Sequence, residues 1–365
     1  MGRFWKKQKK VEGEVRSRRP KDTPYKQQSM KAWEEIRLDY TRCHELKSYD
    51  EFETMPAQYT WKYPLGESAG HPVDRWKRAN RNLTFDGITK NYTFCTIEFY
   101  LPDGLKPPVL FYYHLTNFFQ NHRNYGTSRL DAQLKGESVS LKSVKDSACK
   151  DVAVVKSSDG GPEKPVYPCG LIAASYFNDT FGNPRRLSVD SGNNPGRGTT
   201  YNMSREGIAL SYDKSLYKLS TYNITAIADS SDSPVVPPPS WAERYPRGYH
   251  KGNMFDPSSD ESFMVWMRTA SSPRFAKLAK RNDNDTMEKG LYSLSVFSDF
   301  PIHQSGGSKS IIISTRSAGG ARNPFLGVAN IATGGACILL SGSFALSTLW
   351  KSSPLVYHSY LHRSH

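Results

Sequence analysis

Six Asn-x-Ser/Thr triplets and five cysteines are the most chemically suggestive features of this 365-residue chain. The triplets begin at Asn82, Asn91, Asn178, Asn202, Asn223 and Asn284, none has Pro at its middle position, and each could take an N-linked oligosaccharide. Cys43, Cys95, Cys149 and Cys169 share the polar region with them, while Cys337 sits inside an apolar run. No pair has the close C-x-x-C spacing of a zinc site, so disulfides are the better reading wherever the compartment is oxidising. Four cysteines allow three connectivities, and spacing does not choose among them. Sequons confined to the cysteine-bearing segment point to a lumenal or extracellular domain.

Catalytic patterns are poor. The sequence has no G-x-S-x-G elbow and no H-E-x-x-H pair. GGSKS, Gly306 to Ser310, carries the glycines and lysine of a phosphate loop but has no Gly before the lysine. The next residues, IIIS, read as a strand where such a loop needs a helix N-terminus. QNHRNY, Gln120 to Tyr125, reads as a polar loop held by structural hydrogen bonds. Neither a metal nor a cofactor is expected, and an enzyme is disfavoured.

Mainly strands carry these residues. FCTIEFYL (Phe94 to Leu101) alternates, PVLFYYHL (Pro108 to Leu115) is a continuous apolar-aromatic run, and LYSLSVFSDFPI and KSIIISTRS add two more. SSDGGPEKP, VDSGNNPGRG and VVPPPSWAERYPRG are loops by composition. The expected fold is mainly β, an antiparallel sandwich with long loop excursions and few short helices. SPRFAKLAKRN, Ser272 to Asn282, is the best helix candidate, with Phe275, Leu278 and Ala279 on one face.

Charge and hydropathy set the boundaries. The formal net charge of +14 would permit a nucleic-acid or anionic-membrane partner. Much of it crowds residues 1–33, a basic tail with almost no apolar periodicity, so no nucleic acid is expected. Residues 34–322 form the cysteine- and sequon-bearing domain, 323–350 an uncharged apolar stretch, and 351–365 a short tail. The stretch is long enough for a transmembrane helix. Its small residues, Gly334, Gly335 and Gly342 among them, suit close packing against another helix. Charges on either side (Arg316, Arg322; Lys351, Arg363) do not fix its orientation. The first 30 residues contain no apolar signal segment. Composition alone would equally allow a stand-alone surface glycoprotein on one anchor, an adhesion or carbohydrate-binding module.

Read in order, RRPKDTPYKQQSMKAW, IRLDYTRC, LTNFFQNHRNY, QLKG, YPCGLIAASYFNDTF, NMSREGIALSYDK, FMVWMRTASSPRF, GGSKSIIIST and NPFLGVA separate these possibilities. Together they closely resemble the family of cell division control protein 50, also called the ligand-effect modulator family, from about Arg18 to Trp350. VPPPSWAERYPRGY is most similar to fungal members. The resemblance implies a non-catalytic, glycosylated accessory subunit of a type IV P-type ATPase that flips phospholipids toward the cytosolic leaflet. It implies a heterodimer with that ATPase, escort out of the endoplasmic reticulum, and residence in endoplasmic reticulum, Golgi, endosomal or plasma membranes. Two transmembrane helices, cytosolic termini and a β-rich ectodomain belong to the same pattern. It further implies local disulfides, Cys43 with Cys95 and Cys149 with Cys169, and a glycan at Asn178 in the FNDT motif.

One departure is large. The family has its first transmembrane helix between the AW and DYT motifs, yet Ala32-Trp33 here runs almost directly into Glu34-Glu35-Ile36 and Asp39-Tyr40-Thr41. Both flanks survive, so a span of about 20 apolar residues belongs at that point. A chain made as written is expected to keep Met1 to Arg322 in the cytosol, with reduced cysteines and bare sequons.

Overall fold

The computed structural model describes residues 35–46, 49–63, 72–156, 161–187, 198–222, 233–315 and 324–350. The two tails, the Trp33-Glu34 junction and Asn223 lie outside the described residues. A β domain and a C-terminal helix form separate compact units and are described separately.

Alternating and continuously apolar runs become antiparallel strands. One sheet has the order β11-β6-β13-β1-β3, made of β1 (Glu35–Asp39), β3 (Thr60–Tyr63), β6 (Val109–Leu115), β11 (Phe275–Asn282) and β13 (Lys309–Ser314). The other has the order β10-β12-β5-β4-β2, made of β2 (Glu53–Thr54), β4 (Arg75–Phe85), β5 (Ile88–Leu101), β10 (Arg185–Arg186) and β12 (Gly290–Phe297), with β9 (Thr180–Phe181) also pairing β12. β7 (Val154–Val155) and β8 (Lys164–Pro165) form a separate small pair. PVLFYYHL has no alternation because β6 lies between β11 and β13 and is buried along nearly its whole length. Ile36 and Leu38 of β1 meet Ile97 and Phe99 of β5 and Ile311 and Ile313 of β13 in one apolar cluster. In β1 the intervening Glu35, Arg37 and Asp39 are only half-buried, as the two-residue period of a strand requires.

β4 and β5 are one long hairpin. Its turn is Asp86-Gly87, with φ of 50° and 75°, left-handed at both central residues as a tight two-residue hairpin turn demands. The tip is tied down by His250 Nε2 and Asp86 Oδ1, 2.8 Å apart.

The chain enters and leaves the β domain at one place. Glu35, the first residue of β1, is paired with Ser314, the last of β13. Nine residues then lead to the C-terminal helix at Pro324.

Among the described residues between β6 and β11 are six short α-helices: α1 (Arg123–Gly126), α2 (Asp131–Leu134), α3 (Leu141–Lys145), α4 (Leu171–Ala174), α5 (Ser211–Leu216) and α6 (Glu261–Met267). All but α3, whose Val144 packs with Cys149, Ala153 and Cys169, contribute to a second, aromatic core containing Tyr113, Phe118, Phe177, Trp241, Phe263 and Trp266. QNHRNY ends in α1, where buried Tyr125 shares its hydroxyl with Ser175 and accepts from Gln120 Nε2. It is structural, as the polar-loop reading has it.

The helix expected at Ser272–Asn282 is not there; Phe275–Asn282 is β11, paired with β6 through a bulge between Leu278 and Lys280. Two buried lysines misled the pattern. Lys277 Nζ donates to the carbonyls of Val265, Trp266 and Arg268 at 3.0, 2.6 and 2.6 Å, closing the C-terminal end of α6. A cation there satisfies end carbonyls and the helix dipole together. Burial lowers its pKa well below the ordinary lysine value. Lys280 Nζ donates to Gly182 O and Asn183 Oδ1. In a strand these positions point inward; in a helix they would have looked solvent-facing.

The apolar stretch is helix α7, Pro324–Trp350, of which Ala329–Trp350 is long and apolar enough to cross a membrane.

Candidate partner interface and modification sites

The disulfides staple the β domain at two points. Cys43 follows β1 and is bonded to Cys95 in β5, with Cα atoms 6.1 Å apart, so this bridge ties one sheet to the other. Cys149 is bonded to Cys169, Cα atoms 5.9 Å apart, and closes the excursion around Val144 and Ala153. The observed connectivity is thus the local one among the three possible. Replacing both cysteines of either bridge with Ala should lower stability by about 3 to 4 kcal/mol, read from urea midpoints of the oxidised protein. Equal midpoints for parent and both variants would show that the bridges contribute nothing.

Three motifs converge on one buried ion pair. Asp179, from FNDT, lies 2.8 Å from Lys309 Nζ of GGSKS, the two side chains being 0% and 4% exposed. Tyr40, from LDYT, donates its hydroxyl to Asp179 Oδ2 at 2.8 Å. The backbone N–H groups of Asp299 and Phe300 donate to Asp179 Oδ1, both at 2.6 Å. Lys309 Nζ also donates to Phe300 O, and Thr41 Oγ1 accepts from Lys309 N. Burial, then the Asp179 charge, raises the Tyr40 hydroxyl well above the usual phenol pKa. Gly307 of GGSKS is required by packing, since a Cβ there would overlap Thr116 O and the Ile302 side chain. The lysine therefore answers to Asp179, and no phosphate loop exists here.

Asn178 stands beside that pair. It is half-buried, and its Nδ2 donates to Asp299 Oδ2, while its Oδ1 is buried without a partner. Burial, then the charges of Glu243 and Asp179, push the Asp299 carboxyl up to about 6. A carboxyl raised above its unfolded value destabilises the fold when ionised, so this contribution eases as pH falls through about 6. Asp299→Asn is accordingly expected to gain roughly 1–3 kcal/mol at pH 7.5 and only a small fraction of that near pH 4. Urea titrations at the two pH values check it; an equal effect at both would contradict the assignment.

The other described sequon residues, Asn82, Asn91, Asn202 and Asn284, are exposed. Asn202 and Asn284 share one rim, where Asn282 Nδ2 donates to Asn202 O and Asn282 Oδ1 accepts from Asn284 N. Asn82 and Asn91 face each other across the β4–β5 hairpin.

Helix α7 presents its large side chains outward, Ile331, Leu339, Phe344 and Leu349 all being more than two-thirds exposed. Thr333, Ser343 and Thr348 return their hydroxyls to helix carbonyls at Ala329, Leu339 and Phe344. These polar groups thus need no water, as a lipid setting requires. A Cβ built on Gly334, Gly335 or Gly342 meets nothing within 4 Å, so no contact among the described residues calls for glycine there. Gly335 and Gly342, seven residues apart, project within about 20° of each other.

No group of His, Cys, Asp and Glu that could hold a metal ion occurs among the described residues. Sequence reasoning overlooked the Asp86-Gly87 turn, whose residue types alone mark it. It also missed the Asp179–Lys309 pair, for which single-residue patterns carry no signal.

The model of the LEM3 (ligand-effect modulator 3) family / CDC50 family matches residues 27–354. The chain is 34% identical over 381 positions to the phospholipid-transporting ATPase accessory subunit CDC50 of Chaetomium thermophilum, covering 94% of this chain and 90% of that protein. It is 31% identical over 394 positions to the accessory subunit CRF1 of Saccharomyces cerevisiae, covering 98% and 93%. With human cell cycle control protein 50B it shares 35% identity over 257 positions, covering 67% and 68%. The alignment with CRF1 is longer than this 365-residue chain, so that relative carries internal sequence absent here.

Proposed function

This chain belongs to the LEM3/CDC50 family, and we propose on that basis that it is the non-catalytic accessory subunit of a P-type ATPase that transports phospholipids. Similarity to named accessory subunits along 94% and 98% of its length carries the reading. Its place is the membrane, held by α7. The β domain is the lumenal or extracellular part, glycosylated and disulfide-bonded, and the protein escorts its ATPase from the endoplasmic reticulum as one half of a heterodimer.

The common entry and exit of the β domain supports a second span. Glu35 lies opposite Ser314, and β13 runs into α7 through nine residues. A chain that leaves the domain toward a membrane at Ser314 therefore enters it from the same side at Glu35. A span between Trp33 and Glu34 fits that geometry, and a single anchor needs no such pairing. A stand-alone surface glycoprotein also gives no reason for Gly334, Gly335 and Gly342.

Those glycines are the proposed helix contact with the ATPase. Gly335→Leu or Gly342→Leu should reduce recovery of the complex several-fold by holding the two helices apart, with no loss of β-domain stability. Undiminished recovery for Gly334→Leu, Gly335→Leu and Gly342→Leu alike would move the interface elsewhere. The function itself is tested in cells deprived of their own accessory subunit. Supplying this protein, with the span restored, should return inward movement of a fluorescent phospholipid. Movement that stays at the deprived level, although the glycosylated protein reaches the membrane, would refute the proposal.

A further inference from the structure

Asn82 and Asn91 belong to separate sequons, Asn82-Leu83-Thr84 and Asn91-Tyr92-Thr93, yet the hairpin makes them one location. They are directly opposed in the β4–β5 register. Asn91 Nδ2 donates to Asn82 Oδ1 at 3.1 Å, which leaves the Asn82 amide nitrogen free of that bond. Thr84 and Thr89 hydroxyls meet at 2.7 Å two positions nearer the turn, and Thr93 donates to Asn80 Oδ1 two positions farther away. Over these three successive pairs the face carries only Asn and Thr. Because side chains two apart in a strand share a face, each sequon's Asn and Thr point the same way.

Directly opposed residues hold their Cβ atoms about 4.5–5.5 Å apart. That is narrower than one substituted sugar ring, so a glycan on either Asn covers the other. Timing gives the first-made residue the advantage. Synthesis at roughly 5–20 residues per second takes about half a second or more to bring Asn91 to the place Asn82 has just occupied. The hairpin, once both strands are free, closes in about 1–10 μs. Its left-handed Asp86-Gly87 turn favours the closed form, and the Asp86–His250 contact fixes the tip once the rest of the domain has been made.

We propose that the two sequons act as a single glycan site, filled at Asn82, with the glycan there shielding Asn91. Transfer forms a bond between Asn82 Nδ2 and the anomeric carbon of a polyprenyl-diphosphate-linked oligosaccharide. That carbon's bond to the diphosphate oxygen breaks, and the diphosphate carrier leaves as the amide nitrogen gives up one proton. The inference rests on the lumenal placement of the β domain proposed above.

The test uses the full chain with the span restored at Trp33-Glu34. Enzymatic removal of N-glycans in heavy-oxygen water converts each occupied Asn to labelled Asp, which peptide mass spectrometry locates. Label is expected at Asn82 and absent from Asn91. On gels, Asn82→Gln and Asn91→Gln should each run with the parent, since the remaining Asn takes the glycan, and the double variant should lose one step. Label on both residues of one molecule, or a step lost in each single variant and two in the double, would overturn the proposal. So would a double variant that runs with the parent. A parent without label anywhere, Asn202 and Asn284 included, would overturn the lumenal placement and the shared site with it.

Discussion

Insertion of about 20 apolar residues between Trp33 and Glu34 is expected to turn a bare, reduced protein into a glycosylated, disulfide-bonded one. Residues 1–34 contain no run of that kind. A β domain kept in the cytosol would meet a redox potential that keeps thiols reduced. Two bridges of about 3 to 4 kcal/mol each are then missing, a large share of the roughly 5–15 kcal/mol by which domains are stable. The inserted span would deliver the domain across the membrane from the side at which β1 begins. Endoglycosidase treatment reads the outcome: no shift in mobility for the sequence as written, and a clear shift with the span. A shift for the unmodified sequence would show that the domain crosses the membrane by another route.

Lys309→Met should be among the most damaging single substitutions in the β domain. It leaves Asp179 charged, fully buried and without its cation, which costs about 3–5 kcal/mol for a pair of this kind. Asp179 also holds Tyr40 beyond β1 and the backbone of Asp299 and Phe300, so the loss loosens three segments at once. Asp179→Asn combined with Lys309→Met removes the orphaned charge and keeps an oxygen for the Asp299 and Phe300 N–H groups. The double variant is therefore expected to be more stable than Lys309→Met alone. Urea unfolding followed by tryptophan fluorescence measures both, and a single variant as stable as the parent would contradict the role given to the pair.

The strands β5, β6, β12 and β13 could be read from the sequence because burial there follows side-chain type. β11 could not, because Lys277 and Lys280 are buried and a pattern of apolar residues counts them as outward. α6 hid for the opposite reason: Phe263, Met264, Trp266 and Met267 are all buried, so FMVWM shows no polar face to mark its period. Motifs were legible as strings before their purpose was. Tyr40, Asp179 and Lys309 lie far apart in the chain and meet only in the fold, and a glycine such as Gly307 explains itself only against Thr116. The Asn82–Asn91 pairing likewise needed the register that Asp86-Gly87 sets.

Affinity purification of the full chain, with its span restored, from detergent-solubilised membranes is the sharpest test of the accessory-subunit role. Mass spectrometry should find a phospholipid-transporting P-type ATPase in near-equal amount, diminished by Gly335→Leu or Gly342→Leu. Recovery of the glycosylated, disulfide-bonded protein with no P-type ATPase beside it would contradict that role.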